Sequence, residues 1–251
     1  MKKALIFAAG LGTRLRPLTD SMPKALVPVG GVPMLERVIL RLGNAGFTDI
    51  TVNIHHFGQQ IIDFLASKHN FGLDIHISDE RGELLDTGGG ILHARPLLDG
   101  PDPVLIHNAD ILSDIDLAGL YRHHIDRGAD ATLVVSHRQT SRYLLLERNS
   151  HRLRGWINKS TGETRPDGFT PDPLHEEEYA FGGIHVISPA RLYSLMESSA
   201  WTGRFSIIPF YLNICQRARI EGYPLEGQKW FDIGKIETIG EAEKILHSGN
   251  T

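Results

Sequence analysis

Residues 4–14, ALIFAAGLGTR, decide the fold, because a short apolar run passes directly into a series of small residues. Ala4–Phe7 is apolar throughout and is followed by a glycine-containing turn, which is typical of a buried strand. The small residues at positions 8, 9, 10 and 12 let a ligand approach the backbone without meeting a Cβ atom. We therefore predict a strand followed by a loop whose backbone N–H groups face phosphate oxygens.

The sequence after this loop alternates β-rich runs with segments of helical period. The runs that predict further strands are 50–54, 73–77, 104–106 and 131–135, and helical periods cover 34–42 and 117–127. Alternation of this kind is typical of a largely parallel sheet with helices on both sides. The predicted fold is α/β: a Rossmann-like, doubly wound, mostly parallel mixed sheet with helices on both faces.

The pattern changes after Ser136. Residues 143–147 and 152–157 predict a hairpin, and a polar loop rich in proline and glycine follows it. No internal repeat and no linker-like segment separates this part of the sequence from the first part. We therefore predict a single domain over residues 1–251, with one half at 1–135 and the other at 136–251.

Composition excludes several classes of protein. The 251 residues carry a formal net charge of −4, and 41% are hydrophobic and 22% charged, which is a globular balance. A nucleic-acid partner would call for a basic surface, which the negative charge argues against. The single cysteine, Cys215, forbids an intramolecular disulfide, and no run approaches the ~20 apolar residues of a membrane span. We expect a cytoplasmic protein with no nucleic-acid or membrane partner, and its oligomeric state stays open.

Three kinds of nucleotide-binding site are alternatives for the first loop. A dinucleotide fingerprint needs a third glycine where Leu15 stands and an acidic residue near Asn53, and both are missing. The G-x-x-x-x-G-K-[ST] spacing of ATPase loops is absent too. A loop that holds a nucleoside triphosphate for attack at its α-phosphorus fits better, because Arg14 suits the β- and γ-phosphates and Lys24 adds a point charge.

Residues 7–35, FAAGLGTRLRPLTDSMPKALVPVGGVPML, closely resemble the signature of the sugar-1-phosphate nucleotidyltransferases, A-A-G-x-G-T-R-L-x-P-L-T followed by P-K-x-L. Four later segments are similar to segments of the same family: LLDTGGGI (84–91), LIHNADIL (105–112), YAFGGIHVISP (179–189) and WFDIGKIETIGEAEKIL (230–246). The resemblance implies a GT-A-like nucleotidyltransferase fold. It also implies an enzyme that makes an NDP-sugar and pyrophosphate from an NTP and a sugar 1-phosphate. Residues 1–135 then form the nucleotide-binding half and 136–251 the half that binds the sugar phosphate.

The resemblance also implies roles for individual residues. Those expected to bind the nucleotide are Ala8, Ala9, Gly10, Gly12, Thr13, Arg14, Gly88 and Asn108. The catalytic residues are expected to be Arg14, Lys24, Asp110 and Lys159, and the residues that bind the sugar Asn158, Gly182 and Gly183. Asp110 and Asp232 are the expected ligands of Mg²⁺, which takes one or two carboxylates and keeps several waters. Without the resemblance, Asp232 also fits the N-cap of a last helix.

The substrates are less well defined. The short length and the TGGG and FGGI segments look most like the uridylyltransferases of cell-wall recycling that act on N-acetylmuramate 1-phosphate. Related thymidylyltransferases read the base with a glutamine, but residues 79–83, DERGE, contain none. Guanylyl or cytidylyl transfer to a mannose, heptose or other sugar 1-phosphate, or to phosphocholine, therefore stays open. So does an inactive regulatory subunit that binds a nucleotide-sugar. The 13 histidines lack metal-ligand spacing and predict no zinc site.

Overall fold

A ten-stranded mixed sheet organises the structure, a computed structural model that describes residues 1–247. The strands are β1 (Lys2–Phe7), β2 (Pro28–Val29), β3 (Val32–Pro33), β4 (Phe47–Ile54), β5 (Asp74–Asp79), β6 (Val104–Asn108), β7 (Ile111–Ser113), β8 (Ala131–Ser136), β9 (Arg142–Glu147), β10 (Leu153–Asn158), β11 (Thr164–Arg165), β12 (Glu176–Ile187), β13 (Ile220–Pro224) and β14 (Trp230–Asp232). The α-helices are α1 (Met34–Asn44), α2 (Gly58–Ser67), α3 (Asp86–His93), α4 (Arg95–Leu98), α5 (Leu117–Arg127), α6 (Pro189–Ser198), α7 (Ile207–Ile214) and α8 (Ile236–His247).

β1 lies at the centre of the parallel part of the sheet. It pairs in parallel with β4 on one side and with β6 on the other, and β4 pairs in parallel with β5. The long strand β12 runs antiparallel between β6 and β8, and its first residues pair with β9 of the hairpin. The order β11-β10-β9-β12-β6-β1-β4-β5 follows, with β8 beside β12 and β13 beside β8. This arrangement confirms the predicted mixed α/β sheet.

Apolar residues cover both faces of the sheet. Consecutive residues of β1 point to opposite faces, so Leu5 belongs to one core and Ala4 and Ile6 to the other. The first core is closed by α6 and α7, and the second by α1, α2 and α5. A strand buried on both faces must be apolar at every position, which is why Ala4–Phe7 has no polar alternation.

The glycine run at 88–90 lies inside α3, which begins at Asp86, whereas three consecutive glycines disfavour the interior of a helix. Packing against the segment before α7 explains the difference. A Cβ atom at Gly88 would lie 2.2 Å from the Phe205 ring, and one at Gly89 would lie 2.3 Å from the Gly203 carbonyl oxygen. The N–H groups of both glycines donate to the Phe205 carbonyl oxygen at 2.8 and 3.1 Å. Glycine here allows close helix packing.

The two predicted halves of the chain share one sheet, because β8, at the end of the first half, pairs with β12 of the second. The division into halves stays a prediction, and residues 248–251 of the predicted domain lie outside the described residues. Within residues 1–247, none of the helices has the length and apolar character needed to cross a membrane.

Three buried histidines make the fold sensitive to acid. His185 of β12 has no hydrogen-bond partner for either ring nitrogen among the described residues, and burial lowers its pKa to about 3. Burial also lowers the pKa of His107 and of His124 to about 4. The unfolded chain takes up these protons near pH 6.5 and the folded chain does not, so the fold loses stability as the pH falls.

We expect His185→Leu to flatten the pH dependence of stability. Each such histidine contributes at most about 1.4 kcal/mol per pH unit to the slope of the unfolding free energy. Urea denaturation at intervals between pH 6 and pH 4 should show the slope reduced by about one such contribution. His107 and His124 account for the remaining part of this slope.

His175→Gln is the matched control. Its hydrogen bond with Asp172 raises the pKa of His175, so this side chain is protonated in both states between pH 4 and 6. Its removal should leave the slope as it is in the original chain. An unchanged slope in His185→Leu would show that His185 takes up its proton in the folded chain.

Candidate active site

A cleft of about 420 Å³ opens at the carboxyl ends of the parallel strands, the edge at which open α/β sheets bind ligands. Its lining is contributed by the loop after β1, the turn at Lys24, the ends of β4 and β6, and the segment that leads into α3. The lining residues are Phe7, Ala8, Ala9, Gly10, Leu11, Gly12, Thr13, Arg14, Lys24, Ala25, Asn53, Glu80, Leu84, Asp86, Thr87, Asn108, Ala109, Asp110, Arg204 and Gly234.

The first loop turns sharply at Gly12, which has a φ of +64°. A Cβ atom at this position would lie 2.8 Å from Thr19 Cγ2 and 3.0 Å from Lys24 Cβ. The Thr19 hydroxyl donates to the Gly12 carbonyl oxygen at 2.8 Å, which fixes the turn from the other side. Gly12 thereby packs against Lys24, and Arg14 follows it in the short 3-10 turn Thr13–Leu15.

The backbone N–H groups of Ala8 and Ala9 point into the protein. Both donate to Asn53 Oδ1, at 2.7 and 3.1 Å. The sequence predicts that these groups face phosphate oxygens, and the structure differs because the amide of Asn53 takes both of them. The prediction that backbone N–H groups of this loop contact phosphates therefore applies to the residues from Gly10 onward, where it stays a prediction.

Lys24 and Asp110 form an ion pair in the floor of the cleft, through Lys24 Nζ and Asp110 Oδ2. Their side chains are 13% and 23% exposed, so solvent screens the pair only in part. The Arg14 guanidinium lies against Gly234, which also lines the cleft. The structure thus brings together the two cations and the first aspartate of the predicted catalytic set.

Asp232 is placed beside Asp110 by a small antiparallel ladder of β7 and β14. Asp232 pairs with Ile111, and the N–H of Ile233 donates to the Asp110 carbonyl oxygen at 2.8 Å. Asp232 Oδ1 is buried and has no hydrogen-bond partner among the described residues. Arg14 Nη2 and Asp232 Oδ1 each lie 2.7 Å from the point that a Cβ atom of Gly234 would occupy. A buried carboxylate oxygen without a partner is costly unless a cation complements it.

The two aspartates suit a hard divalent cation. Residues 1–247 hold no cluster of three or more potential metal-binding side chains. A site with two carboxylates is typical of Mg²⁺, which fills its other positions with water and substrate phosphates. The donor set therefore fits Mg²⁺, and the assignment of Asp110 and Asp232 as its ligands stays a prediction.

Several predicted residues lie outside the lining of this cleft as the described residues form it. Gly88 packs on Phe205, and Lys159 forms an ion pair with Glu178 at the end of β10. Asn158 Oδ1 accepts the N–H of Ser160 at 3.0 Å. Their roles in binding stay predictions, and Glu178 competes with any phosphate for the charge of Lys159.

Gly182 and Gly183 connect the cleft to the second half of the chain. A Cβ atom at Gly183, whose φ is +72°, would lie 2.9 Å from Asn108 Nδ2. The Gly182 carbonyl oxygen accepts the indole N–H of Trp230 at 2.8 Å. The glycines let β12 pack closely on the Asn108 side chain and on β14, and their predicted contact with a sugar is untested.

Two arginines near the cleft belong to none of the sequence motifs described above. Arg204 lines the cleft from the loop before α7. Arg138 follows β8, lies 4.8 Å from the centre of the Trp230 ring and donates to the Phe181 carbonyl oxygen at 3.0 Å. Desolvation lowers the pKa of Arg138, and the charge of Asp232 opposes that effect. In the sequence, the one feature that could have indicated Arg138 is its position just after the predicted strand at 131–135.

Comparison with known proteins agrees with this geometry. The family profile described as nucleotidyl transferase matches residues 3–249. N-acetylmuramate alpha-1-phosphate uridylyltransferase from Neisseria meningitidis is 32% identical over 249 residues, which cover 97% of both chains. Mannose-1-phosphate guanyltransferase from Schizosaccharomyces pombe is 29% identical over 237 residues, which cover 93% of this chain and 61% of the relative. The solved structure of UDP-glucose pyrophosphorylase complexed with UDP-glucose aligns with a TM-score of 0.76 at 19% identity, over 100% of both chains, and shows likeness of fold alone.

We expect Gly12→Ala to destabilise the loop, because alanine disfavours a φ of +64° and its Cβ would meet Thr19. The strain of the left-handed conformation alone corresponds to about 1–2 kcal/mol of unfolding free energy. Gly10→Ala is the control, since nothing lies within 4 Å of its Cβ position. Chemical denaturation of both variants should show a loss for Gly12→Ala only. Equal stability of the two would place the constraint elsewhere in the loop.

Proposed function

The chain belongs to the nucleotidyl transferase family, among its sugar-1-phosphate nucleotidyltransferases, and we propose that it forms a UDP-sugar and pyrophosphate from UTP and N-acetylmuramate 1-phosphate. In this reaction an oxygen of the sugar phosphate attacks the α-phosphorus of the triphosphate. The bond from the α-phosphorus to the oxygen that bridges to the β-phosphorus breaks, and pyrophosphate leaves.

The observation that carries the proposal is the charge arrangement in the cleft. Arg14 and Lys24 flank the end of the small-residue loop, next to the Asp110 and Asp232 pair. Phosphoryl-type transfer between two anions needs positioning and charge neutralisation, and little covalent chemistry from the protein. Among the described lining residues are no cysteine, serine or histidine side chains, which suits an acceptor that is itself the nucleophile.

Each cation has a distinct task. The planar guanidinium of Arg14 suits bidentate contact with the β- and γ-phosphates, and so stabilises the charge that develops on the leaving pyrophosphate. Lys24 is a compact charge held in place by Asp110, and we place it beside the reacting phosphate. When bound to Asp110 and Asp232, Mg²⁺ supplies further neutralisation of the phosphate charge.

The choice of uridine rests on two points. The relative that matches 97% of the chain at 32% identity is a uridylyltransferase. Both carboxylate oxygens of Glu80, the buried acidic side chain that lines the cleft, already accept hydrogen bonds from Asn53 and Leu85. A carboxylate that reads a guanine must point both oxygens at its N1–H and N2–H groups, and these two hydrogen bonds turn Glu80 toward Asn53 and Leu85 instead, whereas backbone groups suffice for uracil. The guanyltransferase relative makes guanylyl transfer the second candidate.

We place the acceptor between β12 and the β10 end. Gly182 and Gly183 would lie beneath the sugar, with Asn158 at a hydroxyl and Lys159 at the phosphate. Arg138 is a second candidate for the phosphate, because it lies by Trp230 and near Asp232. The substrates and the single buried cysteine suit a cytoplasmic enzyme of nucleotide-sugar synthesis that serves cell-wall recycling.

Pyrophosphate release in the presence of Mg²⁺ tests the proposal, with UTP, dTTP, GTP, CTP and ATP against a panel of sugar 1-phosphates. We expect release with UTP and N-acetylmuramate 1-phosphate. Release with GTP and mannose 1-phosphate instead would establish the second candidate. Nucleotide binding without release from any pair would contradict an enzymatic role.

We expect Asp110→Asn to lower turnover by at least about a hundredfold, the scale of losing one charge-stabilising group. Asp232→Asn should remove the increase in melting temperature that Mg²⁺ gives in the presence of nucleotide, since a ligand stabilises only the state that binds it. Asp114→Asn is the control, because an amide oxygen can still accept the Lys229 N–H that Asp114 Oδ1 accepts at 2.8 Å. Normal turnover in Asp110→Asn would exclude this carboxylate from catalysis.

A further inference from the structure

The amide of Asn53 joins the strand end of β4 to the start of the first loop. Asn53 pairs with Phe7 in the parallel ladder, so its side chain emerges beside the first residues of the loop. Its Oδ1 accepts the N–H groups of both Ala8 and Ala9, and its side chain is buried. With Oδ1 acting as an acceptor, the Nδ2 group must donate elsewhere.

The acceptor of that hydrogen bond is Glu80. Asn53 Nδ2 donates to Glu80 Oε1 at 2.8 Å, and the N–H of Leu85 donates to Glu80 Oε2 at 3.2 Å. Glu80 is 2% exposed and directly follows β5, whereas Leu85 lies just before α3. The amide and the carboxylate thus form a continuous buried bridge from the loop after β1 to the segment 80–85.

Both ends of this bridge face the cleft, because Asn53 and Glu80 are themselves lining residues. Helix α3 packs against this bridge of hydrogen bonds. A Cβ atom at Gly90 would lie 2.9 Å from Glu80 Oε1, 3.0 Å from Phe7 Cε1 and 3.4 Å from Asn53 Nδ2. Glycine at this position lets the helix cover the polar pair without a gap.

We propose that Asn53 and Glu80 are positioning residues that hold the first loop at a fixed distance from the segment 80–85, and so preorganise the cleft for the nucleoside triphosphate. The proposal rests on the proposed function for the identity of the ligand. Neither side chain needs to touch the nucleotide. The pair anchors Ala8 and Ala9 inward, so that the residues from Gly10 onward present their N–H groups to the phosphates.

The polarity of the bridge makes a sharp test possible. Asn53→Asp keeps the acceptor for Ala8 and Ala9 but sets a second carboxylate against Glu80, and like charges at hydrogen-bond distance repel unless they share a proton. Glu80→Gln leaves one donor facing another donor, either at Asn53 or at Leu85, whichever way the new amide points. Each single change therefore breaks one link of the bridge.

The double variant Asn53→Asp/Glu80→Gln restores every link with the donors reversed. The introduced carboxylate accepts from Ala8, Ala9 and the introduced amide, and the amide oxygen accepts from Leu85. The formal charge of the pair is the same as in the original chain. Rescue by this variant therefore reports on the hydrogen-bond pattern and not on net charge.

The affinity for UTP, measured directly by calorimetry with and without Mg²⁺, is the first readout. We expect each single variant to bind UTP at least about tenfold more weakly, the scale of one disrupted buried hydrogen bond. The double variant should return to within about threefold of the original chain. Direct binding separates this test from the proposed reaction, since weak binding in the single variants and rescue in the double one can be seen even if no acceptor is ever turned over.

The pH profile of binding is the second readout, which a purely structural role would not move. In Asn53→Asp the two carboxylates share a proton at low pH, so UTP affinity should fall as the pH rises from 6 to 9 beyond any change in the original chain. The titratable groups around the pair are the same in all variants: His55 contacts the Glu80 backbone oxygen, Asp79 and Arg81 flank Glu80, and His93 contacts the Asp79 backbone oxygen. The original chain and the double variant therefore correct for their titration.

Thr51→Val is the matched control, because Thr51 is buried on the same strand and its hydroxyl has no hydrogen-bond partner among residues 1–247. It should bind UTP as the original chain does. Circular dichroism melting of all four variants identifies any that fail to fold. Normal UTP affinity in a folded single variant, or a folded double variant that stays as weak as the single ones, would overturn the proposal. If the single variants unfold, the folded double variant still decides it through its affinity and its flat pH profile.

Discussion

The parallel pairing of β1 with both β4 and β6 is the constraint on which the rest of the site depends. Parallel strands end at the same edge, so the loop after Phe7, the amide of Asn53 and the segment that leads to Asp110 meet there by geometry. Burial on both faces forces residues Ala4–Phe7 of β1 to be apolar, so the end of this strand contributes no polar side chain of its own to the site. Every polar function at the edge must therefore come from the loops and from the ends of the neighbouring strands.

The local parts of this arrangement could be predicted from the sequence, since they depend on residues close together in the chain. The strand at Ala4–Phe7, the turn at Gly12 and the hairpin after Ser136 each follow from apolar patterns and from glycine. The glycines of α3 show where local signals fail. A run of three glycines disfavours a helix interior, and close contacts from distant parts of the chain, Phe205 on Gly88, Gly203 on Gly89 and Glu80 on Gly90, account for it.

The non-local parts could not be predicted from residue patterns. Asp232 comes to Asp110 through a three-residue strand, and no periodicity in so short a segment indicates its partner. Only the family resemblance suggested that the two aspartates act together. The sequence likewise does not indicate that the Ala8 and Ala9 N–H groups point into the protein, because this direction depends on the side chain of Asn53 from another strand. Arg138 belongs to no sequence motif, and its side chain is positioned by contact with the Trp230 ring.

The pairing of β7 with β14 also sets the order in which the site can be completed while the chain is being made. The first loop, Lys24 and Asp110 leave the ribosome well before Asp232 and Gly234, which lie far downstream of them in the sequence. A contact between two segments forms only once both have been synthesised, and closing the long stretch of chain between them costs entropy. A growing polypeptide therefore carries Asp110 without Asp232 until all ten strands of the main sheet have been synthesised, and the lining of the cleft, which includes Gly234, is completed only after them.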